Sequence, residues 1–157
     1  MRPLHFRWRY IALPLVILVV SVTMAAIFYA RLPADLAYHF TDGSPDRWMP
    51  GALFLAWMLV PQFLLAALAA GIVLGVIRLA GPRQSRPGAE RILGVMGNMV
   101  ALPQVVLSFA MANIFSYNAY GAQIMPLWLF TVIIMALSGI VLGIFFLLAL
   151  KQTLVKR

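Results

Sequence analysis

Four stretches of this chain run for nineteen residues or more without a single Asp, Glu, Lys or Arg: residues 11–29, 51–77, 93–115 and 127–150. About twenty apolar residues in a helix, at 1.5 Å each, cross the roughly 30 Å hydrocarbon core of a bilayer, so each run is long enough to span. Composition agrees, since 64% of the 157 residues are hydrophobic and only 10% are charged. A soluble fold of this size needs far more charge to cover its surface. The expected architecture is all-α: one integral membrane domain over residues 1–157, a bundle of four transmembrane helices with a structured outer loop between the first two.

The first run follows Arg2, Arg7 and Arg9 and so resembles a secretory leader. Its core exceeds the usual apolar stretch of a signal peptide, and it exits through Phe28-Tyr29-Ala30, bulky where cleavage wants small residues. It is read as an uncleaved anchor. Orientation follows from the bias of Lys and Arg toward the cytoplasm. Ten of the twelve basic residues flank the runs on one side: Arg2, Arg7, Arg9, Arg78, Arg83, Arg86, Arg91, Lys151, Lys156 and Arg157. Only Arg31 and Arg47 fall on the other, together with Asp35, Asp42 and Asp46. Both termini are therefore expected in the cytoplasm. Trp8 and Tyr10 would mark the inner boundary, and Tyr29, Trp48, Tyr117, Tyr120 and Trp128 the outer one.

The net charge of +8 does not indicate nucleic acid, because the basic residues sit in the gaps between apolar runs and not on one aromatic-laced face. The chain has no cysteine, which removes disulfides, thiolate metal sites and a cysteine nucleophile. The connector over residues 81–90, with Gly-Pro and Arg-Pro-Gly, reads as a solvated basic linker.

Polar residues inside the runs are few. Pro61-Gln62 and Pro103-Gln104 lie at similar depth in the second and third runs. Each proline frees a carbonyl one turn back, and the glutamines are expected to face the interior and bond each other or such a carbonyl. Small residues four apart let helices approach closely, which makes Ala67, Gly71 and Gly75 one candidate packing stripe and Gly139 with Gly143 another. Asn98 and Asn113 lie nearer the ends of the third run, where loops or water can satisfy them.

The remaining chemistry is concentrated between residues 31 and 48. Leu32, Pro33, His39, Phe40, Gly43, Pro45, Asp46 and Trp48 stand at the spacing L-P-x-x-I-P-x-H-F followed by G-x-x-D-x-W, between two spans. In this the segment 11–65 resembles the bacterial membrane domain of unknown function found at the N-terminus of Sdp-type toxin immunity proteins. The resemblance implies a bacterial inner-membrane location and an immunity-like or signalling role. Two positions depart from the pattern. Ala37 replaces the second proline, which is expected to slacken the turn before His39, and Gly51 falls where the family often has a lysine.

Physically, Asp42-Gly43 and Ser44-Pro45 are turn signals, and Phe40 and Trp48 suit an interfacial anchor. His39 is expected to organise the loop with Asp46, since an imidazole can accept a hydrogen bond when neutral or pair with a carboxylate when charged. His39, Asp42 and Asp46 are the candidates for a metal, but their spacing matches no established ligand set, and no cofactor is expected. Neither a nucleophile nor oxyanion donors accompany them, so enzymatic activity is not expected. The reading is a binding or sensing module that recognises an envelope protein or peptide through its outer loop, within membrane lipid. The alternatives are a transport component with a midplane Gln62 and Gln104 site, and a metal-dependent membrane enzyme.

Overall fold

The computed structural model describes residues 5–41, 43–80 and 89–154. Asp42, Arg83, Arg86 and most of the 81–90 connector lie outside the described residues, as do Arg2, Lys156 and Arg157. After a 3-10 turn at Trp8–Tyr10, the order is α1 (Ala12–Tyr29), β1 (Asp35–Thr41), β2 (Ser44–Pro50), α2 (Gly51–Ala80), α3 (Ala89–Met99), α4 (Ala101–Tyr120) and α5 (Leu127–Leu154). The chain is mostly helical, with several long apolar helices, as a helical membrane protein requires. Among the described residues, three helical stretches are long and apolar enough to cross a membrane: Ala12–Tyr29, Gly51–Leu79 and Glu90–Tyr120. The chain divides into two compact units, Met1–Ile124 and Met125–Arg157. The second contains α5, whose Thr131 and Ser138 hydroxyls donate back to the carbonyls of Leu127 and Ile134.

One detail of the helices differs from the sequence expectation. The third run is not one helix: it breaks at Val100 between α3 and α4. Pro103 in the first turn of α4 has no N–H for the Met99 carbonyl, and its ring crowds that carbonyl, so a continuous ladder is lost there. Pro61, by contrast, lies inside α2 without ending it. At its other end α4 stops on Gly121, whose φ of 74° is a left-handed conformation that a side chain would disfavour, and the Gly121 N–H closes onto the Tyr117 carbonyl at 2.7 Å.

The segment between α1 and α2, where a structured loop is expected, is an antiparallel hairpin. Thr41 pairs with Ser44, which leaves a two-residue loop, and Gly43 supplies the positive φ of 79° that such a loop demands. Register shifts on either side of His39 leave Tyr38 and Asp46 without opposite residues. Ahead of these bulges, consecutive Leu36 and Ala37 are both buried, Leu36 in an apolar cluster and Ala37 against α4.

Within the first unit the interior forms two apolar clusters. One, at the hairpin end, gathers Ala25, Leu36, Phe54, Met111, Ile114 and Phe115. The other, at the opposite end, gathers Tyr10, Ile11, Ala69, Val73 and Leu93. Tyr10 is thus not a boundary marker but a buried side chain, packed beneath α3. A Cβ at Gly97 would overlap the Tyr10 carbonyl and approach Val73 Cγ2 to 2.8 Å, so only glycine permits this crossing. The expected stripe on α2 is not the contact face. Ala67 and Gly71 are exposed, and a Cβ at Gly71 or Gly75 would meet nothing within 4 Å, whereas Ala66, Ala69 and Val73 are buried. Gly139 and Gly143 lie on α5, in the second unit.

Candidate functional site

The hairpin is docked against α4 and the start of α2, while its His39, Thr41 and Asp46 side chains are exposed. Asn118 on α4 accepts the Ala37 N–H through Oδ1 at 2.9 Å and donates through Nδ2 to the Ala37 carbonyl, also at 2.9 Å. Both backbone groups of Ala37 are therefore satisfied by a side chain, as a neighbouring strand would satisfy them. The same Nδ2 reaches back to the Ile114 carbonyl, which holds the amide in plane with its own helix. Phe40 meets Tyr117 edge to face with centroids 4.5 Å apart, so it is a docking residue and not the interfacial anchor expected. Leu36 is fully buried against the Phe54 and Phe115 cluster, and the Gly51 N–H at the start of α2 donates to the Ala34 carbonyl.

Ala37 was expected to slacken the segment before His39. The structure reverses that expectation: a proline there would have no N–H for Asn118, and the alanine is what lets the clamp close.

On the outer side, His39 Nδ1 lies 2.6 Å from Asp46 Oδ1, and the Thr41 hydroxyl donates to Asp46 Oδ2 at 3.0 Å. The carboxylate is an acceptor, so Nδ1 carries the proton and Nε2 is left outward. The His39 hydrogen bond, assisted by Thr41, holds the Asp46 carboxyl below the usual carboxylate range. About half of the His39 side chain and two-fifths of that of Asp46 are exposed. Trp48 is exposed as well, opposite Ala37, and Pro45 pairs with Phe40. Leu32 packs against the apolar cluster, and Pro33 lines a cavity of about 370 Å³ between the end of α1 and the start of α2. No group of three or more His, Cys, Asp or Glu suited to a metal occurs among the described residues, which exclude Asp42.

The second set of sequence candidates lies deep in the helices. Gln62 and Gln104 are both fully buried, and Gln104 Nε2 donates to the Gln62 backbone carbonyl at 3.0 Å. That carbonyl is not the one freed by Pro61, which belongs to Trp57. Ser108 and Ser21, unremarked in the sequence, complete the layer: their hydroxyls lie 2.7 Å apart, and Ser108 Oγ is 3.5 Å from Gln62 Oε1.

Three asparagines tie loops and helix ends to the α3 and α4 path. Asn98 accepts the Leu13 N–H and donates to the Arg9 and Gly94 carbonyls. It thereby caps α1, whose own preceding residue, Ile11, offers no capping side chain. Asn113 accepts the Ile124 N–H at 2.7 Å. Asn118 escaped the sequence analysis altogether. Its only signal was an amide close to a helix end, which a solvent-exposed cap would share. At the N-terminal end, Arg7 and Arg9 both pair with Glu90 at the start of α3, half-exposed contacts that solvent screens.

A family model described as a domain of unknown function (DUF1648) matches residues 16–61, from within α1 through the hairpin to Pro61 of α2. No curated protein and no solved structure matches the chain. The matched segment takes in the hairpin with its His39 and Asp46 pair and ends one residue before Gln62.

Proposed function

We propose that this chain is a small bacterial inner-membrane protein that acts as a binding or sensing module, with the hairpin as its recognition element and both termini in the cytoplasm. The observation that carries the reading is the exposed His39, Asp46 and Thr41 network on a hairpin whose other side is docked. Ordering these groups in advance lowers the entropy lost when a partner is bound. A connector needs none of this. Trp48 beside them adds an exposed aromatic surface of the kind that dominates protein and peptide contacts.

The partner class is a peptide or another envelope protein, and the likeness of the 11–65 segment to the immunity-protein domain favours an immunity-like role. The buried layer of amides and hydroxyls, with no ionisable side chain in it, adds no support to a transport reading. Two measurements test the proposal. A cysteine introduced at Ser44 in this cysteine-free chain should be labelled by an impermeant reagent in intact cells. His39→Ala and Asp46→Ala, expressed at normal level, should each abolish protection against an envelope-active peptide. Full protection by both would reduce the hairpin to a connector.

A further inference from the structure

Midway between the two apolar clusters, α1, α2 and α4 contribute Ser21, Gln62, Gln104 and Ser108 to one polar layer. The hydrogen bonds of this layer can be counted. The single Ser108 proton goes to the Gln104 carbonyl at 2.8 Å, so Ser21 is the donor in the hydroxyl pair. Gln104 Nε2 is committed to the Gln62 carbonyl. That leaves Gln62 Nε2 and Gln104 Oε1 without a partner, and Gln62 Oε1, 3.5 Å from Ser108 Oγ, without a proton from it, although both side chains are fully buried.

We propose that this layer is a binding site for one buried water molecule, held between the side-chain amides of Gln62 and Gln104. Water accepts from Gln62 Nε2 and donates to Gln104 Oε1, and it is the smallest molecule able to do both. An apolar occupant would leave both groups unmet, with the full cost of their desolvation. An ion would be costly here, because no charged side chain in the layer offsets the burial of its charge. The assignment does not depend on which way the Gln62 amide faces. Turned end for end, it would donate through Nε2 to Ser108 Oγ and leave Oε1, like Gln104 Oε1, an unmet acceptor. Two acceptors cannot bond each other, but a water can donate to both. The Gln104 amide cannot turn, because its oxygen would then face the Gln62 carbonyl. Buried waters in proteins are held in this manner by groups that otherwise go unsatisfied.

The test uses the full chain in phosphatidylcholine nanodiscs with ¹⁵N-glutamine and ¹⁵N-leucine, and reads magnetisation transfer from water to side-chain and backbone amide protons. Gln62, assigned by loss of its signal in Gln62→Met, should receive transfer several-fold faster than the backbone amide of Leu65 one turn away. In Gln104→Met, which removes the second partner, that transfer should fall to the Leu65 level. If Gln62 in the unaltered protein receives no more transfer than Leu65, or if its transfer survives unchanged in Gln104→Met, the site is refuted. The first of these readings needs no variant to fold except the one used for assignment.

Discussion

Asn98 and Asn118 stand twenty residues apart on the α3 and α4 path, a rise of about 30 Å, close to the thickness of a hydrocarbon core. Each does the same three things. Its oxygen accepts one N–H from another segment, and its amide donates to that segment's carbonyl and to the carbonyl four residues back in its own helix. What the two clamps hold is different. Asn98 joins the first turn of α1 to α3 at a crossing where Tyr10 is buried and Gly97 admits no side chain. Asn118 holds one residue of a hairpin whose remaining polar groups face outward. The same amide thus closes a packed junction at one end and presents a polar surface at the other. The difference lies in the neighbours, not in the asparagine.

The sharpest way to break that symmetry is Gly97→Leu. Overpacking the crossing should lower stability by about 1–3 kcal/mol or more, seen as a lower unfolding midpoint in detergent, with amide exchange in the hairpin unchanged. Gly94→Ala is its control, since a Cβ there meets only the Tyr10 ring at an ordinary 3.7 Å.

Next in size is Asn118→Ala, which strands both backbone groups of buried Ala37 and should destabilise docking of the hairpin by about 1–3 kcal/mol. Exchange at Ala37 should accelerate while that at Leu13 does not, and Asn98→Ala should give the reverse. Ala37→Pro removes the donor from the other side of the same bond. In the Asn118→Ala background it should add less than it costs alone, and full additivity would mean that the two residues do not act as a pair.

The smallest effect concerns Asp46. Its carboxyl is held below the ordinary range in the folded hairpin, so its contribution is complete at neutral pH and is lost as the pH falls through that lowered value. Amide protection at Thr41 and Arg47, taken relative to the intrinsic exchange rate at each pH, should fall over that interval. Asp46→Asn should flatten the dependence without altering the global unfolding midpoint, because the pair is exposed.

The spans were legible because the requirement that makes them is local: an uncharged run either reaches across the hydrocarbon or does not. The first two begin within a residue of their expected starts, α2 running three residues past Ile77. Gly43 correctly marked a tight turn, and His39 and Asp46 are hydrogen bonded as expected. The strand register was not legible. Bulges at Tyr38 and Asp46 shift which residues face inward, and nothing in the alternation of DLAYHFT announces them. Nor could spacing decide which face of α2 is buried. Ala67, Gly71 and Gly75 have the small-residue pattern, yet Ala66, Ala69 and Val73 make the contact. A helix that is apolar all round carries no polar face to reveal its orientation.

By itself, then, the sequence determined the apolar spans, the turn at Gly43 and the pairs of residues able to bond one another, because each follows from a length, a backbone angle or a donor and acceptor inventory. The tertiary structure alone decided that Ala37 is clamped by Asn118, that Ser21 and Ser108 join Gln62 and Gln104, and that Gly97 is the glycine where chains meet. Those outcomes depend on how helices rotate about their axes. That rotation is set by the sum of many weak side-chain contacts between segments far apart in the chain, and no local pattern contains it.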